Sequence, residues 1–195
     1  MPSFAEIASS LQGAIMLARR DTAGFACFTM TADGFWRSFL AVLLVAPLYL
    51  AVSSLGSDPG TTELSEGSRE SPSVLVRLVV LTVEWLAYPA AMAFVTRLLG
   101  LQHNYVPYVI VYNWSSVLAM AAVTPPFLLN AAGIIDTRAT VALFVVLSLL
   151  VIYYRWYIAR TALATNGPTA AGIVAFDFVF SMFVGIGVER LLNPG

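Results

Sequence analysis

The sequence predicts an all-α fold, a polytopic transmembrane helix bundle of five spans preceded by an N-terminal amphipathic interfacial helix. Two observations lead to this prediction. Hydrophobic residues make up 59% of the 195 residues and charged residues only 11%, against roughly 25% charged residues in soluble domains. Five apolar stretches also reach the length of about 20 helical residues that a hydrocarbon core of about 30 Å requires. The chain is therefore predicted to be an integral membrane protein.

Residues 1–34 are predicted to form the interfacial helix and a connector. Ser3 and Glu6 have the spacing of a capping box, in which each side chain satisfies a free backbone N–H group at the start of a helix. The apolar residues that follow recur every three or four positions. They are Phe4, Ile7, Leu11, Ile15 and Ala18. Such spacing gives one apolar stripe, and a helix of this kind lies on the membrane or against the bundle.

Residues 35–190 are predicted to form the membrane domain. Its spans are predicted at about 35–55, 74–96, 105–129, 139–157 and 168–188. Residues 57–73 interrupt the apolar pattern with Gly, Ser, Thr, Pro and several acidic residues, so we expect an acidic hydrophilic loop there. Aromatic and arginine side chains near the span ends are predicted to anchor the helices at the interface. These anchors are Trp36, Arg37, Tyr154, Arg155 and Trp156.

Composition excludes several classes of function. The net charge of −1 offers no cluster of basic residues for a nucleic-acid partner. One Cys and one His exclude a metal site built from Cys and His alone, and no cofactor motif is present, so we expect no cofactor. All ten basic residues are Arg, which favours a genome rich in G and C and hence a bacterial cytoplasmic (inner) membrane. With the N-terminus cytoplasmic and the C-terminus outside, six arginines lie inside and four outside.

Two carboxylates lie within the predicted spans, Glu84 in the second and Asp177 in the fifth. A charged carboxylate at the centre of a bilayer costs roughly 3 kcal/mol on insertion scales. Small residues share the helix faces of both, which predicts that both face the bundle. Asn113 and Ser116 of the third span are natural hydrogen-bonding partners, so we predict an intramembrane polar cluster of these four residues.

Such a cluster has two interpretations. Two carboxyl groups close together in a low dielectric cannot both ionise, so one of them becomes a proton carrier. Alternatively, buried carboxyls, amides and hydroxyls join helices, each contributing about 0.6 to 2 kcal/mol. Two carboxylates could also do acid–base work, but no adjoining motif binds a substrate head group, so we expect no enzymatic activity and no catalytic residues.

Three segments resemble the Yip1-like family of small five-span membrane proteins. Asp33, Gly34, Phe35 and Trp36 resemble that family's aspartate- and tryptophan-containing start of the first span. Residues 112–122 resemble its tyrosine-bearing third span, and residues 149–171 its fourth span, short polar turn and small-residue fifth span. The resemblance implies a non-enzymatic protein of membrane organisation or trafficking.

The leading functional hypothesis is accordingly a non-enzymatic integral inner-membrane protein that acts in membrane organisation or as an interaction or accessory subunit. Its expected partners are the lipid bilayer and a membrane protein or a second copy of itself, and not nucleic acid. The alternative is a small proton- or ion-coupled transporter that uses the intramembrane carboxylates.

Overall fold

A computed structural model describes residues 2–55 and 73–192 of the chain. Within these two ranges the chain forms helices and no strands. The α-helices are α1 (Phe4–Ala18), α2 (Ala32–Ser38), α3 (Val42–Ser54), α4 (Val74–Leu98), α5 (Tyr105–Val123), α6 (Pro125–Ala131), α7 (Thr137–Ala162) and α8 (Gly167–Leu192). Short 3₁₀ turns cover Thr22–Cys27, Phe39–Ala41 and Gln102–Asn104. The predicted acidic loop 57–73 lies outside the described residues, except for Ser73.

Among the described residues, five helical segments are long and apolar enough to cross a membrane, which is the number of spans that the sequence predicts. They are Ala32–Ser54, Val74–Leu98, Gln102–Ala131, Thr137–Ala162 and Gly167–Val188. Most of their ends lie within three residues of the predicted ones. The fourth segment differs most, because α7 continues to Ala162 where the sequence predicted an end at 157. The aromatic and arginine residues near 154 therefore lie up to two turns inside the helix.

Side-chain caps and prolines set several helix ends. Oδ1 of Asp136 accepts a hydrogen bond of 2.7 Å from the backbone N of Ala139 at the start of α7. Oγ1 of Thr31 accepts one of 3.1 Å from the N of Gly34 at the start of α2. Such caps satisfy N–H groups that have no partner inside the helix. Pro125 begins α6 directly after α5, because proline lacks the N–H that a continuing helix needs.

The third span is the centre of the bundle. More than half of its apolar window (56%) is buried, against 11–22% in the other four. Helix α5 contacts α1, α2, α3, α4 and α7, and α8 closes the outside by packing against α4 and α7. The outward faces of α7 and α8 are exposed and apolar, as a surface in contact with lipid requires.

Helix α1 packs into this arrangement through small residues. The backbone N of Glu6 donates to Oγ of Ser3 (3.1 Å), as the capping box predicts. The Glu6 carboxylate does not close the box; it forms an ion pair of 3.3 Å with Nε of Arg37. The buried face is Ser10, Gly13, Ala14 and Leu17, whereas Phe4 and Ile15 of the predicted apolar stripe are exposed. The helix is thus oriented by small residues that fit closely against the bundle.

Candidate functional site

Helices α5, α7 and α8 bring together a buried group of charged and hydroxyl side chains. Nη1 of Arg155 lies 3.3 Å from Oδ2 of Asp177. The hydroxyl of Tyr112 lies 3.0 and 3.1 Å from the two oxygens of the same carboxylate. Nη2 of Arg155 donates to Oγ of Ser116 at 3.4 Å. Asp177 is 8% exposed, so the carboxylate is enclosed by the protein and accepts from two different helices.

Three tyrosines extend this group towards α4. The guanidinium carbon of Arg155 lies 4.4 Å from the centroid of the Tyr112 ring, within cation–π distance. The Tyr112 ring stacks on Tyr88 at 4.5 Å, and the hydroxyls of Tyr88 and Tyr108 share a hydrogen bond of 2.6 Å. Tyr88 and Tyr108 are both buried. We call Tyr88, Tyr108, Tyr112, Ser116, Arg155 and Asp177 the arginine–aspartate cluster.

The cluster contains two of the four residues predicted to share a polar site. Ser116 and Asp177 are joined through Arg155, with no direct hydrogen bond recorded between them. Asn113 is also buried, but its Nδ2 donates to Oγ of Ser38 in α2 at 2.9 Å. A single residue step turns a helix by about 100°, so Asn113 and Tyr112 face different neighbours. The structure thus separates Asn113 from the predicted group.

Glu84 lies against a different part of α8. A Cβ atom placed on Gly185 would be 3.1 Å from Oε1 of Glu84. Gly185 is eight residues beyond Asp177, which is about 12 Å of helix rise. The two carboxylates therefore occupy different levels of the bundle, and the close pair that a shared proton requires is not formed.

Two of the five predicted interface anchors have a different role. Tyr154 is buried, and its hydroxyl donates to the carbonyl of Ala14 (2.7 Å) and accepts from the hydroxyl of Ser115 (3.0 Å between the oxygens). Arg155 is ion-paired inside the bundle. The prediction placed both at an interface because α7 was expected to end at 157, and the longer helix carries them further into the bundle.

The other anchors lie near span ends. Trp36 is 70% exposed at the start of the first span. Trp156 donates from Nε1 to the carbonyl of Gly167 at 3.0 Å, across the turn between α7 and α8. Arg37 pairs with Glu6. In the predicted orientation six arginines lie inside and four outside. When Arg155 is left out of the count because it lies within the bundle, the numbers are five and four.

The sequence did contain a signal for the ion pair that the prediction missed. Arg155 lies seven residues before the end of α7, and Asp177 lies ten residues after the start of α8. Antiparallel helices joined by a short turn place such positions at similar depth. An arginine and an aspartate whose distances from that turn differ by less than one helical turn therefore indicate pairing across the hairpin.

Chemically, the cluster neutralises its own charges. Asp177 accepts from Arg155 and Tyr112, and Arg155 also lies over an aromatic face. In residues 2–55 and 73–192, no group of three or more His, Cys, Asp or Glu side chains is placed to hold a metal ion. Comparison with protein-family models, curated proteins and solved structures gives no match for this chain. The cluster therefore has to be interpreted from its own geometry.

Proposed function

We propose that the protein is a non-enzymatic integral membrane protein that acts through its contacts, in membrane organisation or as an interaction or accessory subunit. The observation that supports this best is the closed hydrogen-bonding arrangement around Asp177. The single hydroxyl proton of Tyr112 is shared between the two carboxylate oxygens, at 3.0 and 3.1 Å, and one of these oxygens also accepts from Arg155. A buried charge that is paired in this way contributes to holding helices together, and removal of one partner from such a pair is strongly destabilising.

The same geometry weighs against the transporter alternative. A coupling residue has to bind its proton or ion from one side and release it on the other. Asp177 is enclosed and paired with a guanidinium, and Glu84 lies about 12 Å further along α8. The carboxylates are thus separated from each other, which removes the mutual repulsion that would make one of them a proton carrier.

The remaining features of the proposal are the location and the partners. We place the protein in the cytoplasmic membrane of a bacterium with its N-terminus inside, which the five-to-four distribution of arginines favours. We further propose that α1 lies at the membrane interface, since Phe4 is 87% exposed and Arg19 and Arg20 follow the helix. The Yip1-like resemblance agrees with five spans and stays a prediction. The exposed faces of α7 and α8 are where a partner helix or a second copy would pack.

Proton flux into liposomes separates the two functions. The purified protein, the Asp177→Asn variant and the Glu84→Gln variant are reconstituted with a trapped pH-sensitive dye, and a potassium diffusion potential supplies the driving force. We expect all three to acidify the lumen no faster than empty liposomes. Flux in the natural protein that is lost in either variant would contradict the proposal and support the transporter.

Site-specific photo-crosslinking in native membranes tests the contact function directly. A photoreactive amino acid replaces Leu150 on α7 or Phe183 on α8, which are 59% and 64% exposed. Replacement of Ile173, which is buried, provides the control. We expect a discrete protein adduct from at least one of the exposed positions and none from Ile173. Adducts with lipid alone at both exposed positions would contradict a partner at these faces.

A further inference from the structure

A cleft of about 580 Å³ opens beside the turn between α7 and α8, apart from the arginine–aspartate cluster. One wall comes from the Thr22–Cys27 turn and the other from the last turns of α7 and the residues that follow. Its lining includes Thr22, Phe25, Tyr157, Arg160, Thr161 and Thr165. A cleft of this size exceeds what a few waters fill and lies in the range of small-molecule sites. The lining is mixed, with threonine hydroxyls and a guanidinium beside two aromatic rings.

The charge at this cleft is positive. Arg160 is exposed, and its guanidinium carbon lies 5.5 Å from the centroid of the Trp156 ring. Arg20 lies 4.9 Å from the Tyr153 ring, and Tyr153 and Trp156 stack on each other at 5.7 Å. Two guanidinium groups therefore lie beside one pair of aromatic rings, and one of them, that of Arg160, lines the cleft.

The nearest carboxylate in sequence carries one negative charge, against the two positive charges of Arg20 and Arg160. Asp21 precedes the Thr22–Cys27 turn, and its Oδ1 accepts a hydrogen bond of 2.9 Å from the backbone N of Ala23. That bond orients the carboxylate towards the backbone of the turn. The hydroxyl of Tyr157 donates to the carbonyl of Arg20 at 3.1 Å, which ties the two walls together. This hydrogen bond fixes the backbone of Arg20 against α7.

An apolar strip leads from the membrane to this cleft. Leu149, Tyr153, Trp156 and Arg160 follow one another at intervals of four, three and four residues, so they share one face of α7. Leu149 is 60% exposed. Along about 16 Å of helix, this face changes from aliphatic to aromatic and then to cationic. A lipid with an acyl chain and an anionic head group changes in the same order, from aliphatic to charged, with the charge sign opposite to that of the helix face.

From this juxtaposition we propose that the cleft binds a phosphate group, with Arg160 as its charge partner and the hydroxyls of Thr22 and Thr165 as hydrogen-bond donors. Arginine suits this task because its planar fork of N–H groups matches phosphate oxygens. The apolar strip on α7 indicates that the phosphate belongs to an anionic phospholipid whose acyl chain lies along Tyr153 and Leu149. This site is independent of the function proposed above, since none of its residues belongs to the arginine–aspartate cluster.

Native mass spectrometry of the full chain in detergent tests this site. The protein is titrated separately with dioctanoyl phosphatidylglycerol, dioctanoyl phosphatidylcholine and glycerol 3-phosphate. We expect saturable binding of the phosphatidylglycerol. Arg160→Gln should lower the affinity about fivefold, which is the contribution of one basic side chain near an anionic surface. The matched control is Arg97→Gln, which removes an exposed arginine on α4 that does not line the cleft. It should change affinity less than about twofold, because exposed charges outside the site are screened.

The outcomes decide both the site and the source of the phosphate. Saturable binding of glycerol 3-phosphate with the same dependence on Arg160 would support the phosphate site and assign it to a water-soluble ligand. Equal loss in Arg97→Gln and Arg160→Gln, or no saturable binding of any of the three ligands, would overturn the proposal. A second variant, Thr22→Val, tests the site independently if Arg160→Gln fails to fold. It should weaken binding about two- to fivefold through loss of one hydrogen bond, and unchanged binding would remove Thr22 from the site.

Discussion

Arg155 of α7 and Asp177 of α8 form an ion pair of 3.3 Å across a helical hairpin whose two helices are both long and apolar enough to cross a membrane. The pair is completed by the hydroxyl of Tyr112 from the central helix α5. Two charges with this separation attract strongly once water is excluded, and the attraction offsets the cost of removing them from water only when further hydrogen bonds are made. The pair thus fixes the depth at which α7 and α8 pack on α5.

Arg155 and Asp177 should stabilise the fold as a pair, so the losses from removing each charge alone should not add. We expect Asp177→Asn and Arg155→Gln each to lower the free energy of unfolding by about 3 kcal/mol, because each leaves one charge of the pair without its partner. This loss is at the lower end for buried pairs, since the Arg155 side chain is 24% exposed. The double variant should lose less than the sum of the two, with a coupling of about 1 to 3 kcal/mol. Unfolding in mixed micelles with increasing SDS measures all three against the natural protein.

Asp33→Asn is the control for this cycle. Asp33 is exposed at the start of α2, so its neutralisation should change stability by less than about 0.5 kcal/mol. Additive effects of Asp177→Asn and Arg155→Gln would show that the two groups do not act as a pair, contrary to the proposal that the cluster holds the bundle together.

The hydroxyl of Tyr154 should be needed to hold α1 in place. It donates to the carbonyl of Ala14 in α1 and accepts from the hydroxyl of Ser115 in α5. Tyr154→Phe leaves the carbonyl without its donor and the Ser115 hydroxyl without its acceptor, and should cost about 1 to 3 kcal/mol. We expect α1 and the adjoining Thr22–Cys27 turn to open more often, and Cys27, which is only partly exposed, to react faster with a maleimide.

Tyr153→Phe provides the matched control, since Tyr153 is the next residue and its ring is 40% exposed. Its loss of a hydroxyl should leave the labelling rate of Cys27 unchanged. Equal rates in Tyr154→Phe and Tyr153→Phe would mean that α1 is held by its small-residue contacts alone.

The class of fold follows from the sequence because membrane-length apolar runs have few alternatives. The partners of polar residues do not follow in the same way, since they depend on which helices are neighbours. Asn113 and Tyr112 are adjacent in sequence, yet one bonds to Ser38 of α2 and the other to Asp177 of α8. Arg155 resembled an interface anchor because aromatic residues surround it, and only the full length of α7 shows that it lies inside.

The small residues of the N-terminal region illustrate a second limit of prediction from sequence. Apolar periodicity predicted one stripe that lies on the membrane or against the bundle, and Phe4 and Ile15 of that stripe are exposed. The buried side of α1 contains Ser10, Gly13 and Ala14. A Cβ on Gly13 would lie 2.8 Å from the carbonyl oxygen of Gly24. Where two backbones approach this closely, no side chain fits between them. The spacing of hydrophobic residues carries no information about such contacts.

Gly34, part of the segment that resembles the Yip1-like family, should not tolerate a larger residue. A Cβ atom at this position would overlap the carbonyl oxygen of Thr29, which belongs to the backbone and cannot turn aside. We expect Gly34→Ala to lower the free energy of unfolding by about 3 kcal/mol, at the upper end of overpacking effects. SDS unfolding and the yield of folded protein measure the loss.

Gly172→Ala is the corresponding change at an open helical position, where no atom lies within 4 Å of the added Cβ. It should be neutral or stabilising by up to about 1 kcal/mol, because alanine favours helix over glycine. A stability of Gly34→Ala equal to that of the natural protein would contradict the close contact with Thr29.

The orientation in the membrane can be measured with the single native cysteine. Cys27 lies before the first span, on the side that the predicted orientation places inside the cell. A membrane-impermeant thiol reagent added to intact cells should leave Cys27 unlabelled, and the same reagent added to opened membranes should label it. Because Cys27 is partly buried, the comparison needs a second position on each side.

Two variants in a Cys27→Ala background supply these positions. Ala26→Cys is exposed beside the native cysteine, and Ser54→Cys is exposed at the other end of the first span. With the N-terminus inside, Ser54→Cys reacts in intact cells and Ala26→Cys reacts only after the membranes are opened. The reverse pattern would mean that the excess of one arginine does not set the topology. It would also place the cleft at Arg160 on the outer face, since α7 ends on the same side of the membrane as Ala26.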